Sequence, residues 1–436
     1  MTSNNAIPTT PPSGFRDFLP DACALRARAI ETISGIYRAY GFSQIATASV
    51  EDLAVLLGKG GGENEKLIFK ILKRGEKLEA ALGGSELADL GLRFDLTLPL
   101  ARFYSRHQSE LPHPFKAFHI GPVWRAERSQ KGRYREFYQC DADVIGSESL
   151  QAEIEVISAI LTAFSAFGLE DAAVHINDRR ILLAILEKAK VPAEKIGGTC
   201  ISLDKLDKIG PQKVADELRA LLGEEPAKAL EPLVLGDTPS IDWLRSFAPE
   251  AMDRLNAITS LLSESFDGKR LVLQPSLVRG FDYYTSTVFE FRHPKLSGSL
   301  GGGGRYDRLT EKFGGQAVPA CGASIGFERL MLLLEESPSG TQDLGPDVCV
   351  TVFSEELRAK TLAAANKLRA AGLSVDVYPG CGKFKAQFRY ADSRKARLAL
   401  VLGPEEAAAG RIKVKDLKTG EEKLETLENL ISRLKK

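Results

Sequence analysis

From Asp21 onward the apolar residues Leu25, Ala29, Ile33, Ile36 and Tyr37 recur at three- and four-residue spacing, and Gly41 stands where a helix would stop. The pattern predicts an amphipathic helix leading into a strand near Phe42–Ile45. Between Gly91 and Asp143 short apolar segments alternate with charged ones, as in antiparallel strands with one polar face. A helix is expected next, with Ser149 as N-cap, Ile154, Ile157, Leu161 and Phe164 as its buried stripe and Gly168 at its end.

From about Asp178 to Pro249 the character changes: Lys, Glu, Leu and Ala recur at helical spacing, broken at Gly197, Gly210, Pro211 and Pro226. This reads as an inserted helical module. Strand-like and glycine-rich segments return from Leu271 to Gly326, so the first unit resumes after the insertion. The polar stretch ESPSGTQDLGP, Glu336 to Pro346, has the composition of a linker. Beyond it strands are expected at Val348–Phe353, Ser374–Tyr378 and Leu398–Leu402, separated by two helices, the first over Glu355–Ala371; this is a small α/β domain. The expected boundaries are 1–177 and 271–335 for the two parts of the first unit, 178–270 for the insertion, 336–346 for the linker and 347–436 for the last domain.

Length and composition narrow the classes without choosing a function. At 436 residues the chain exceeds what one core organises, and 44% hydrophobic content is ordinary for a globular protein. A net charge of +0 gives no global field for nucleic acid, so any RNA site must come from local clusters of Lys and Arg. The six cysteines form no CxxC pair and have no His at zinc-ligand spacing. No apolar run approaches the ~20 residues that span a bilayer, and Met1–Ser13 lacks a signal peptide's hydrophobic region, so a reduced cytoplasmic setting is expected.

Four segments carry candidate chemistry. In FKAFHIGPVWRAERSQKGRYREFYQCDADVIG, Phe115 to Gly146, the cations Arg125, Arg128, Lys131, Arg133 and Arg135 face only Glu127 and Glu136 between Arg125 and Glu136. The segment is either a solvated charged hairpin or a polyphosphate site, where guanidiniums match phosphate oxygens and Phe137 stacks a base. In VRGFDYYTSTVFE, Val278 to Glu290, Arg279 and Asp282 stand beside two tyrosines, as a buried ion pair or as a site. LGGGGRYD, Leu300 to Asp307, has more glycines than a turn needs, and they permit close approach of backbone to a ligand or another strand. In GASIGFERLMLLL, Gly322 to Leu334, Glu328 and Arg329 open an apolar helix, through capping and surface pairing or with Arg329 reaching toward a phosphate.

Together and in this order, these stretches resemble the signature of class II histidyl-tRNA synthetases. GFRDFLP at Gly14–Pro20 resembles that family's N-terminal entry, and the helix and strand through Val50 resemble motif 1, with Ala48 where the motif usually carries Pro. RFDLT at Arg93–Thr97 resembles the loop before motif 2, and Phe118–Asp143 resembles motif 2. Arg279–Tyr284 and Gly303–Asp307 resemble the histidine-specific segments, Gly322–Leu330 resembles motif 3, and QFRYADSRKA at Gln387–Ala396 belongs to a stretch similar to the anticodon-binding domain.

The resemblance implies an α+β catalytic domain, an antiparallel sheet with helices, carrying a helical insertion and followed by an α/β anticodon-binding domain. It implies a homodimer that activates histidine with ATP and Mg²⁺ and transfers it to the terminal adenosine of histidine tRNA. By matching position, Arg125 and Arg279 are the catalytic guanidiniums. Asp95, Thr97, Gln139, Asp143, Tyr283, Tyr284 and Tyr306 are the histidine-binding residues. Arg125, Glu127, Arg133, Phe137 and Arg329 are the ATP-binding residues. The alternative is a non-catalytic regulatory paralogue that senses histidine; such paralogues typically lack the anticodon domain and disturb the arginine set.

Overall fold

The computed structural model describes residues 7–57, 63–84, 86–130, 132–236, 239–279, 284–336 and 345–435. Its chain divides into two compact units, residues 1–19 with 26–336 and residues 20–25 with 337–436.

The amphipathic stripe folds as the helix Pro20–Ala39, whose residues from Arg26 on belong to the first unit, with Ile33 and Tyr37 completely buried. The Tyr37 hydroxyl donates to the Cys140 carbonyl at 3.0 Å, so this aromatic seats the helix on a strand about a hundred residues away in sequence. The helix leads into β1 (Ser43–Gln44), shorter than the strand the sequence suggests. A small antiparallel sheet follows, formed by β2 (Val50–Asp52), β3 (Lys70–Leu72) and β4 (Ala88–Leu92) in the order β2-β4-β3.

A finding the alternation did not suggest is the helix Thr97–His107, which buries Leu98, Leu100, Ala101 and Tyr104. Leu98 and Leu100 sit two apart and imitate a strand; what starts a helix there is Asp95, whose carboxylate accepts the Leu98 N–H at 3.1 Å. The hairpin β5 (Phe115–Trp124) and β6 (Glu136–Ile145) then runs in unbroken antiparallel register over ten pairs. Behind it lies the helix Gln151–Ala166. Leu150, not Ser149, occupies its N-cap, although the Ser149 hydroxyl still accepts the Gln151 N–H at 3.2 Å.

The remaining strands are β7 (Ala173–Asp178), β8 (Leu271–Leu273), β9 (Thr287–Arg292), β10 (Gly301–Arg305) and β11 (Ala320–Gly326). They complete an eight-stranded sheet of order β1-β5-β6-β11-β10-β9-β7-β8. Its centre is antiparallel, as expected, but the pairs at the two edges, β1 with β5 and β7 with β8, are parallel. Parallel neighbours cannot be joined by a tight turn and need a long crossover. Between β7 and β8 that crossover is the helical segment, beginning at the helix Arg179–Lys188, whose N-cap Asp178 accepts the Arg180 N–H, and ending with the helix Pro249–Ser263.

The crossover is tied to the sheet by a buried carboxylate. Glu153 is 0% exposed and accepts from Arg305 of β10 at 2.8 and 2.6 Å and from Arg254 of the last crossover helix at 2.9 and 3.1 Å. Burial alone would raise its pKa, but the two guanidiniums hold it below the usual carboxylate value.

The second unit has a five-stranded sheet, β12 (Val348–Val350), β13 (Val375–Val377), β14 (Leu398–Val401), β15 (Ile412–Asp416) and β16 (Glu422–Glu425), in the order β13-β12-β14-β15-β16. Helices Arg358–Ala370 and Leu427–Leu434 pack Ala365, Leu368 and Leu430 against Val348, Val350, Leu398 and Leu400. The linker expected at 336–346 lies largely outside the described residues.

Replacing Glu153 with Ala strands the Arg305 guanidinium in the core. Such a loss should lower the unfolding free energy by about 3–5 kcal/mol, measured by urea denaturation of the Glu153→Ala variant. A decrease below about 1 kcal/mol, the scale of an exposed ion pair, would mean that the Ser147 and Ser149 carbonyls already satisfy Arg305.

Candidate functional site

Strand geometry builds the site. Along β6 the side chains of Phe137, Gln139, Asp141 and Asp143 share one face because successive residues point to opposite sides. The register places Gly326, Ser324 and Gly322 of β11 beside Gln139, Asp141 and Asp143, and it places Gly302 and Gly304 of β10 beside Ser324 and Gly322. A polar strand therefore lies next to two strands with almost no side chains, and the sheet carries a trough. The glycines cannot be replaced without filling it. A Cβ on Gly322 would stand 1.7 Å from Asp143 Oδ1, and one on Gly302 would stand 2.3 Å from Arg279 Nη1.

The trough holds a cavity of about 390 Å³. Of the residues expected to bind histidine, Asp95, Thr97, Gln139, Asp143, Tyr284 and Tyr306 all line it. Arg125, Glu127, Arg133, Phe137, Arg279 and Arg329, expected at the nucleotide and the reacting phosphate, line it as well. Tyr283 falls in residues 280–283, outside the described residues, as does Asp282.

One end of the cavity is acidic. Tyr306 donates to Asp143 Oδ1 at 2.5 Å, and Gln139 Nε2 donates to Ser324 at 3.3 Å. Among the described residues three buried acceptors on this face have no hydrogen-bond partner: Gln139 Oε1, Asp141 Oδ1 and Asp143 Oδ2. Buried acceptors are normally satisfied, so three on one strand face suit a ligand rich in N–H donors. Burial pushes the Asp143 carboxyl up to about 7, with the Asp95 charge adding to the rise and the Tyr306 hydroxyl opposing it. Asp141 is raised well above the usual carboxylate range by burial and then by Asp143. Asp95 is half-buried as a residue, yet burial of its carboxyl raises it too, against the Leu98 N–H and Arg125.

The other end is basic. Arg125 donates from Nε to the Phe94 carbonyl at 3.0 Å, and its guanidinium lies 5.0 Å from the centre of the Phe137 ring. Arg279 pairs with Glu290 at 3.2 Å and donates to Ser299 Oγ at 2.9 Å; Arg329 donates to the same hydroxyl at 3.1 Å and to the Ser299 carbonyl. Burial, and then the like charges of Arg133 and Arg279, lower the Arg329 pKa below its ordinary value, with Glu290 opposing them. Arg133 is exposed near the loop tip, 3.4 Å from Glu127.

The neighbouring Glu328 takes no part in surface pairing. It is 5% exposed, accepts from both Arg26 nitrogens at 2.8 Å and from Arg16, and receives the Tyr138 N–H at 3.3 Å. Sequence reasoning missed Asp141 and Ser299. Asp141 carried a signal, since it alternates with Gln139 and Asp143 in YQCDADV; Ser299 carried none.

Comparison with known proteins adds the following. Residues 14–330 match the family model described as histidyl-tRNA synthetase, and residues 347–436 match the anticodon binding domain. A relative from Leifsonia xyli subsp. xyli named histidine–tRNA ligase is 41% identical over 92% of this chain and 99% of its own length. The crystal structure of a histidyl-tRNA synthetase from Nostoc sp. PCC 7120 is similar with a TM-score of 0.84 at 29% identity, covering 99% of both chains. A structure from Bacillus halodurans, titled an ATP phosphoribosyltransferase regulatory subunit/histidyl-tRNA synthetase, has a TM-score of 0.72 at 22% identity over 88% of this chain and 97% of its own, a likeness of fold alone.

The raised Asp143 has a signed consequence for stability. Its folded form holds a proton that the unfolded chain releases near the ordinary value of 3.8, so its contribution to stability is present below that value and is lost as pH rises toward about 7. Asp143→Asn, which does not titrate, should gain on the parent protein between pH 5 and pH 8 by roughly 1–3 kcal/mol in urea denaturation. A difference that stays constant across that range would place the Asp143 carboxyl in water.

Proposed function

Because the chain belongs to the histidyl-tRNA synthetase family and is an aminoacyl-tRNA ligase that joins histidine to tRNA, we propose that the trough is where it activates the amino acid, with histidine at the acidic end and ATP at the basic end. The observation that carries this assignment is the polarity of one cavity: three unpartnered buried acceptors at one end and a cluster of guanidiniums at the other. In this reading Asp95 and Thr97 hold the α-ammonium beside Gln139. Asp143 and Tyr284 take the two imidazole nitrogens, and Tyr283 and Tyr306 border the ring. A carboxylate fixes the ring's tautomer while the tyrosine meets the other nitrogen.

The first step brings two anions together. The histidine carboxylate attacks the α-phosphorus, the bond to the β-phosphate breaks, and pyrophosphate leaves. Arg125 and Arg279 neutralise the equatorial oxygens and stabilise the transition state. Arg133 and Arg329 hold the outer phosphates, Phe137 stacks the adenine and Glu127 meets its amino edge. Mg²⁺, which keeps several waters and relies on substrate phosphates, would screen the phosphate charge that Arg133 and Arg329 leave. A hydroxyl of the terminal adenosine of histidine tRNA then attacks the activated carbonyl, and AMP leaves.

We read the chain as a cytoplasmic homodimer. The exposed Val50 and Leu72 of the three-stranded sheet, with Leu87 just before β4, support a self-association face, and the buried Cys140, Cys200, Cys321 and Cys349 form no disulfide. No observation supports the regulatory alternative: Arg125, Arg279 and Arg329 are all present, and an anticodon-binding domain follows.

Anticodon reading falls to the last domain. The helix Phe384–Ser393 carries Phe384, 5.5 Å from Phe353 and 6.2 Å from Phe388, with Lys415 5.7 Å from the Phe388 ring. Aromatic steps beside cations suit splayed bases and their phosphates.

Arg279→Ala should slow histidine-dependent ATP–pyrophosphate exchange by roughly 10²–10³-fold, the cost of one preorganised donor; a folded variant with unchanged exchange overturns the assignment. Replacing Phe384 and Phe388 together with Ala should leave that exchange intact while weakening tRNA charging by roughly tenfold or more, at about 1–3 kcal/mol per stacked base. Equal losses in both assays would remove these rings from RNA recognition.

A further inference from the structure

The segment GFRDFLP has no role in the mechanism above, yet it is fastened to the loop that carries Arg133. The Arg135 N–H donates to the Gly14 carbonyl at 2.9 Å, and the Arg135 guanidinium donates to the Ser13 carbonyl at 3.2 Å and the Glu127 carbonyl at 3.2 Å. The approach is close enough that Gly14, at φ +86°, leaves no room for a side chain: a Cβ would stand 2.7 Å from Arg135 Cγ. Phe15 packs on Phe69 with ring centres 5.9 Å apart. The next residue, Arg16, lays its guanidinium over the Tyr134 ring at 3.3 Å and pairs with Glu328, the neighbour of Arg329.

Tyr134 lies between Arg133 and Arg135 and itself lines the cavity. Arg16 thus joins the hairpin loop to the start of the helix Phe327–Glu335, the two elements whose guanidiniums face the outer phosphates. It also sits at the right level of attachment. Arg26 already satisfies both Glu328 oxygens from within the fold, whereas the Arg16 side chain is 29% exposed and reaches Glu328 from the N-terminal segment. Its removal leaves Glu328 paired and frees Tyr134.

We propose that Arg16 is a positioning residue for ATP: by stacking on Tyr134 while pairing with Glu328 it holds the loop of Arg133 at a fixed distance from Arg329. The proposal rests on the assignment of Arg133 and Arg329 to the outer phosphates. Arg is suited to this double task because its planar guanidinium can stack and form an ion pair at once, which an ammonium cannot do.

The test is pyrophosphate exchange by the full-length protein, with KM measured for ATP and for histidine separately. Arg16→Ala should raise the ATP KM about tenfold, the scale of one cation–π contact and one half-buried ion pair together, and leave the histidine KM within about twofold. Arg16→Lys, which keeps the charge and loses the planar stack, should lie between the two. The Arg16→Ala/Tyr134→Ala double variant should be no worse for ATP than the more damaging single variant, since both remove one contact. An unchanged ATP KM in Arg16→Ala, or an equal rise for histidine, overturns the proposal. Arg133→Ala measured alongside separates the two readings. If it raises the ATP KM while Arg16→Ala does not, the positioning role alone fails; if neither does, the phosphate assignment fails with it.

Discussion

The register between β6, β11 and β10 is the constraint on which the site depends. Because the period of a strand is two, the sites facing the trough on β11 and β10 are fixed once β6 presents Gln139, Asp141 and Asp143. A slip of one residue would turn Ala323 and Ile325 toward the carboxylates and bury the glycine edge behind them. The register is in turn held by the packed rear face, where Ala142, Ala323 and Ile325 are completely or almost completely buried. The polar geometry in front is thus set by apolar packing behind it.

The two ends of the trough meet different electrostatic problems. At the acidic end burial raises the carboxyls, which limits the charge the free protein must keep out of water; a cationic ligand supplies what burial removed. At the basic end guanidiniums crowd together with Glu290 and Ser299 as their anchors, so the cations are already oriented when an anion arrives. Glu328 and Arg329, adjacent in sequence, divide the labour: the carboxylate turns inward to bind the helix to Arg26 and β6, and the guanidinium turns into the cavity.

Much of this was legible in the chain because it is local. The stripe from Leu25 to Tyr37, the alternation through Phe115–Ile145 and the helical composition after Asp178 each report the partner of a nearby face. The glycine run was legible as a close approach but not as a strand, since glycine has no preference for one; β10 exists because β9 and β11 hold it on both sides. The helix Thr97–His107 was hidden because Leu98 and Leu100 imitate alternation and its N-terminus is capped from Asp95. The residues named from the family signature were readable one by one, and those among the described residues line one cavity. Glu290, Ser299 and the partners of Glu328 come together only through long-range pairing, which no window of sequence displays.

The parallel pair β7 and β8 carries a consequence for how the protein can vary. Both ends of the crossover are pinned by pairing in the same sheet, Asp178 opposite Thr287 and Leu271 opposite Val174. The entropy of closing a chain segment grows only with the logarithm of its length, about 0.6 kcal/mol for each doubling. Material can be added to or removed from the middle of the excursion without moving the strands that frame it. The module is a cassette: its contents are exchangeable so long as the final helix still delivers Arg254 to Glu153, a buried clasp between the cassette and the body that carries the sheet.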